Sequence, residues 1–272
     1  TNNWTYGEVR SDNAYKGGGG TGDVHDVHRM ETYTVDALNG NLDAKWFQLY
    51  TSVRRCNSAL RVLNRATDGE IPKRAERIAE MKALRAHFYF ELSRLYNKIV
   101  WIDESVEEQN YASISNDQYT RDELLEKIAS DLEAAAAVLP EVQESNQIGR
   151  VNKYMALAYA AKVNLYRAYK QDPATNKLVS IDQDLMRKVV DLTGQVVSSG
   201  RYGLLADFQQ LDLTEYENGK ESVWAIQYSM NDGSESAGRI NWSMLLNAPQ
   251  GPYSGDGFFL PSQNLIDAYQ TD

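Results

Sequence analysis

Met81-Lys82-Ala83-Leu84-Arg85-Ala86-His87-Phe88-Tyr89-Phe90-Glu91-Leu92-Ser93-Arg94-Leu95-Tyr96 is the stretch that decides the fold. Met81, Leu84, Phe88, Leu92 and Leu95 recur every three or four residues, the spacing that gathers apolar side chains on one face of an α-helix. Ala79, Ala83 and Ala86 interleave small side chains, which let a neighbouring helix come close. The spacing predicts a helix over about Lys73 to Asn97 with its stripe on that face.

The same texture extends to both sides. From Asn41 to Arg65, Trp46, Tyr50, Val53, Asn57, Leu60 and Leu63 step by three or four; Asp68-Gly69 breaks the helix and Pro72 opens the next. Thr120 followed by Glu123 reads as a capping box at the start of a helix over Arg121 to Leu139, closed by Pro140. Asn152 to Tyr169 is apolar or small nearly all round, as in a helix buried on most sides. Asp184 to Ser199 carries Leu185, Val189, Leu192 and Val196, with Gly200 at the stop position. Trp46, Trp101 and Trp224 sit inside these patterns and are read as core. The chain is therefore mainly α, built of tetratricopeptide-like helical hairpins. No clean repeat of fixed period supports the solenoid reading, which rests on pattern alone.

The flanks differ. Residues 1–40 are rich in Asn, Gly and Asp and show no helical period; Gly17-Gly18-Gly19-Gly20 reads as a flexible surface loop, and it lacks the Lys-Ser/Thr ending of a P-loop. Trp224, Ile226 and Tyr228 alternate, which predicts one short strand over Val223 to Tyr228. Residues 229–260 are loop-rich with scattered aromatics. The expected organisation is one domain over 1–272: a loop region 1–40, helical hairpins 41–200 and a loop-rich region 201–272. The polar start without Met and the unfinished helical pattern at Leu265, Ile266 and Tyr269 read as a piece of a longer protein.

Composition narrows the partners. The net charge of −10 in 272 residues disfavours nucleic acid and anionic lipid heads, both of which require clustered Lys and Arg. The one cysteine, Cys56, cannot form an internal disulfide and reads as a small buried hydrophobe. No run approaches the ~18 apolar residues of a transmembrane helix.

Five segments, taken in order, resemble the SusD/RagB family: Glu8-Val9-Arg10-Ser11-Asp12-Asn13-Ala14-Tyr15; the helix quoted above, followed by the extended Ile99-Val100-Trp101; Tyr119-Thr120-Arg121 with Ile128 to Ala135 and Leu139-Pro140; Gly149-Arg150-Val151-Asn152-Lys153; and Pro261-Ser262-Gln263-Asn264-Leu265-Ile266-Asp267-Ala268-Tyr269. The resemblance implies a SusD-like fold of tetratricopeptide-like helices supporting irregular loops. It implies a surface lipoprotein of the outer membrane, held by an acylated cysteine that this chain does not contain. It also implies that the protein captures glycan for a TonB-dependent, SusC-like porin, with no cofactor and no catalysis. Peptide capture of the RagB kind, or peptide binding by the helical hairpins as tetratricopeptide modules do, is the alternative.

Sugar recognition combines flat aromatic faces with hydroxyl-bonding polar groups, and loop aromatics supply such faces at low entropy cost. Trp4, Tyr6, Trp242 and Tyr253 are the candidates, each weighed against packing on the core. Asp12 is added from the resemblance, against an Asx turn. Asp23, His25, Asp26 and His28 could ligate a divalent ion but read as a polar loop, and no metal is expected. His87 reads as a structural, hydrogen-bonded histidine. Asp103-Glu104 and Glu107-Glu108 could resemble a glycosidase pair, which needs one carboxyl with a raised pKa; a solvated surface is the better reading.

Overall fold

The computed structural model describes residues 3–144, 147–228 and 246–270, leaving out the side chains of residues 212, 252, 253 and 270. The chain divides into two compact units, Leu49–Gln227 and Thr1–Gln48 with Tyr228–Asp272, with the division falling inside helix α2 (Gly40–Arg65).

The larger unit is helical. After α2 come α3 (Arg74–Leu95), α4 (Arg121–Ala136), α5 (Lys153–Ala168) and α6 (Gln183–Ser198), and from α3 onward each helix packs on the next. Their starts are encoded locally. Thr120 and Glu123 form the expected capping box on α4. The Asn152 side-chain oxygen Oδ1 accepts the Met155 N–H to start α5, and the Asp182 carboxylate accepts from the N–H groups of Asp184 and Leu185 at α6. A short antiparallel hairpin, β2 (Tyr169–Gln171) and β3 (Leu178–Ile181), links α5 to α6. Leu60, Phe90, Leu92, Leu125, Ile128, Leu132 and Met155 are sealed in the core, each contributing about 1.5–3 kcal/mol of transfer free energy.

Helix α3 departs from its expected face. Ala83, Ala86, Tyr89, Phe90 and Leu92 are buried, whereas Met81, Leu84, Phe88 and Leu95 are half-buried. Small alanines fit where another helix comes close, so the innermost strip follows the alanines and the larger side chains take its borders.

The buried face also carries Arg85. Its guanidinium forks onto Asp131 at 2.8 and 3.0 Å, donates to the Asn57 side-chain oxygen Oδ1 at 2.9 Å and reaches Glu104. Burial works against its charge, but Asp131 and Glu104 outweigh that and bind its proton more tightly than usual. Nearby, residues 99–102 run extended without a strand partner. The Tyr50 hydroxyl bonds both backbone groups of Val100, and the Tyr89 hydroxyl does the same for Ile102. Tyr89 also stacks on Trp101 at 4.3 Å. These tyrosines satisfy backbone groups that a sheet would otherwise pair.

Among the described residues the smaller unit holds the first turns of α2 together with β1 (Ala14–Gly17), α1 (His25–Glu31), α7 (Gln250–Tyr253), β4 (Phe258–Pro261) and α8 (Gln263–Gln270). β1 pairs antiparallel with β4 in the register Ala14 to Pro261 and Gly17 to Phe258. Residues 1–40 therefore hold a strand and a short helix where no period was visible. The strand's partner is remote in sequence, and α1 spans too few turns to show a stripe.

The glycine run is built around a buried cation. Lys16 is buried, and its ammonium donates to the carbonyls of Gly17, Gly20 and Asp23 at 2.9, 2.8 and 2.7 Å. It also stands 5.4 Å from the centre of the Phe258 ring. The loop wraps around this cation, and Gly17 and Gly18 take positive φ there. A Cβ on Gly17 would meet the Gly257 carbonyl at 2.4 Å.

Candidate functional site

The predicted contact residues fall in the smaller unit. Asp12 is exposed at φ 62°, a left-handed conformation that Asp tolerates better than most residues. Its backbone carbonyl receives the Ser262 hydroxyl, and its carboxylate has no partner among the described residues. Trp4 is half-buried, 5.9 Å from both Phe258 and Phe259 in tilted packing. Tyr6 donates its hydroxyl to the Asn41 carbonyl at 2.7 Å, with the Lys45 ammonium 5.7 Å from its ring centre. Trp4 and Tyr6 thus form part of the unit's framework, and Asp12 presents a free polar group. Trp242 lies outside the described residues, as does the Tyr253 side chain.

Of the possible metal ligands only Asp23 lies in a loop; His25, Asp26 and His28 stand on α1, where a polar loop was expected. The Asp23 carboxylate accepts the Gly19 N–H at 2.7 Å, and that of Asp26 accepts the Gly40 N–H at 2.8 Å. His28 faces Glu31 at 3.2 Å. No cluster with metal-binding geometry occurs among the described residues. His87 meets the Tyr159 hydroxyl at 3.1 Å, as expected of a structural histidine.

The paired carboxyls are set the wrong way for a glycosidase acid. Burial opposes ionisation of Glu104, but Arg85 overrides it and holds the carboxyl below the usual range. Asp103 is likewise half-buried, yet the Ser105 hydroxyl and N–H keep it low. The hydrogen bond from Arg54 lowers Glu108. Burial pushes the Asp131 carboxyl up, but that group is enclosed in the Arg85 fork. No proton donor over a cleft results from these four.

A feature that the sequence did not reveal lies in the helical unit. A groove of about 480 Å³ runs between the loop before α5 and residues 201–225, with Trp224, Tyr202, Ile148 and Asn152 on its walls. Trp224 was expected in the core and is instead half-buried. Trp46 is half-buried too, while Trp101 is buried as expected. Among the described residues the segment 223–228 joins no strand ladder: the Trp224 indole donates to the Gly149 carbonyl at 2.9 Å, and Ile226 and Tyr228 are exposed. Side-chain anchoring replaces the sheet pairing that the alternation suggested.

Helical hairpins carrying irregular loops define a class of binding scaffold, and comparison with known proteins specifies it. A family model described as starch-binding and associating with the outer membrane, SusD-like, matches residues 5–165. The chain belongs to the SusD-like family. A SusD-like protein of Bacteroides ovatus is 24% identical over 218 residues, covering 77% of this chain and 38% of that protein. Surface glycan-binding protein A from Bacteroides uniformis shares the fold with a TM-score of 0.77 at 23% identity, over 98% of this chain and 55% of its own. A laminarin-binding SusD-like protein gives 0.81 at 22%, over 100% and 59%. Surface glycan-binding protein A from Bacteroides thetaiotaomicron, in complex with laminarihexaose, gives 0.76 at 22%, over 97% and 55%. The chain thus spans little more than half the length of these structures and less of the Bacteroides ovatus relative. No helix among the described residues is long and apolar enough to cross a membrane.

Proposed function

We propose that this chain belongs to a lipid-anchored protein on the outer-membrane surface that captures an oligosaccharide and delivers it, uncleaved, to a TonB-dependent, SusC-like transporter. The family match over residues 5–165 carries the reading, and relatives of the same fold named for laminarin or laminarihexaose support a glucan as the first ligand to try. Asp12 is the proposed polar contact, with its free carboxylate accepting sugar hydroxyls. Trp4, Tyr6, Trp242 and Tyr253, which belong to the same unit of the chain, are proposed to supply aromatic faces.

Titration calorimetry with laminarihexaose and maltohexaose, followed by chromatography of the recovered sugar, tests this. Saturable heat with intact oligosaccharide is expected, and Asp12→Ala should weaken it about tenfold, the loss of a charge-assisted hydrogen bond. Shortened products, or binding to a peptide library with no response to either sugar, would rule the proposal out.

A further inference from the structure

The groove in the helical unit has the construction of a binding site. It falls in the size range of small-ligand pockets, which runs from about 300 to 1,000 Å³. Its tryptophan is fixed on several sides: the indole N–H is held by Gly149, while His87 and Tyr159 stand nearly perpendicular to the ring at 5.6 and 6.2 Å. Gly149, whose carbonyl takes the indole N–H, has a φ of 95°, and a Cβ added there would meet the Gln227 side chain at 2.4 Å. Tyr202 packs edge-on against Tyr154 at 5.6 Å and its hydroxyl lies 3.4 Å from the Asn152 amide nitrogen. Asn218, also on the wall, is held by Gln227, with which it exchanges amide hydrogen bonds at 3.1 and 2.8 Å.

Charge indicates the ligand class. Arg150 is committed to the buried Glu80 through two hydrogen bonds, and Arg201 to Glu141 at 3.2 Å. Glu144 is matched by Lys73 at 2.7 Å. Lys220 is the remaining lining cation, and it is exposed. A groove whose guanidiniums and carboxylates are mutually neutralised offers little to an anion or a dication. Two braced aromatic rings, an amide pair and the exposed Ile148 suit a molecule with apolar C–H faces and uncharged hydroxyls.

We propose that this groove is a second saccharide-binding site for a neutral oligosaccharide, separate from the Asp12 surface and resting on the reading of this chain as a glycan binder. Trp224 supplies the platform. Tyr202 and the outer edges of Arg150 and Arg201 supply hydrogen bonds.

The test is calorimetric titration of the whole chain with laminarihexaose and maltohexaose, alongside thermal melts of every variant. Trp224→Ala removes the platform. Ile148→Asp alters only an exposed wall, and Ser222→Trp fills the groove, so the proposal does not depend on one variant folding. The wild type should show two binding events. Asp12→Ala should spare the groove event, and Trp224→Ala should weaken that event about tenfold, the value of one aromatic contact. Groove variants that titrate as the wild type does would overturn the second site and leave the glycan reading standing. Absence of binding to either sugar by the wild type would overturn the glycan reading and the second site with it.

Discussion

The two units of this protein reach the same end by opposite means. The helical unit hides apolar side chains in bulk and satisfies its backbone within helices; its buried polar groups, Arg85 with Asp131 and Tyr89 with Ile102, are inserted into an already dense core. The smaller unit, among its described residues, shapes its backbone around single polar side chains: Lys16 under the glycine run, and Asp26 beneath the start of α2. A packed core spreads its stability over many contacts, whereas a polar-pinned loop concentrates it at one atom. Substitutions in the first should act globally and in the second locally.

The largest effect should come from Arg85→Ala, which strands Asp131 in the core and is expected to cost about 3–5 kcal/mol in denaturant unfolding. Arg85→Met combined with Asp131→Leu should cost markedly less, because no charge is then left without its partner. If the double variant were as damaged as the single, the core would depend on the ion pair itself rather than on packing around it.

Lys16→Met should be next, at about 2–3 kcal/mol, since it leaves carbonyls without their donor. Its signature is location. Amide exchange should quicken at Gly18 and Gly19, whose N–H groups bond Gly257 and Asp23, while α4 and α5 stay protected. Uniform acceleration across both units would erase the contrast drawn above.

Cys56 sharpens the picture of the helical core through pH. Burial pushes its thiol up to about 11. The folded state holds this proton more tightly than the unfolded chain does, so the contribution is fully present below the ordinary thiol range and is lost as pH rises through about 11. A disulfide reagent at about pH 8 should label the thiol only after unfolding; rapid labelling of the native protein would place Cys56 near the surface. The smallest effect expected is from Thr120→Ala, about 1 kcal/mol, because it removes one cap from one helix. A thermal melt checks it, and a loss several times larger would mean that Thr120 does more than cap α4.

Short-range features of this fold were legible in the sequence. The helices of the larger unit lie within a few residues of their expected bounds because caps and stops act over one turn, as Thr120 with Glu123 shows. Signals that depend on distant partners were not legible. Arg85 looked like one more polar residue on a helix, since Asp131 and Asn57 lie 46 and 28 residues away. The groove depends on Trp224 meeting a backbone carbonyl 75 residues upstream. Gly149-Arg150-Val151-Asn152 was noticed as a family segment, but its physical reasons emerge only in three dimensions: a carbonyl for Trp224, a fork for Glu80, a buried valine and the α5 cap. Among the expected sugar contacts, exposure separates Asp12 from Trp4 and Tyr6, and spacing cannot report it.

The enclosure of Lys16 has a practical consequence for covalent footprinting. Amine-directed reagents acylate side chains that can swing into the reagent's path, and Lys16 cannot do so while it is buried and three carbonyls clasp it. Peptides spanning residues 14–23 should therefore stay unmodified while exposed lysines such as Lys220 saturate. The mass of that one peptide would then serve as a clock for the opening of the smaller unit.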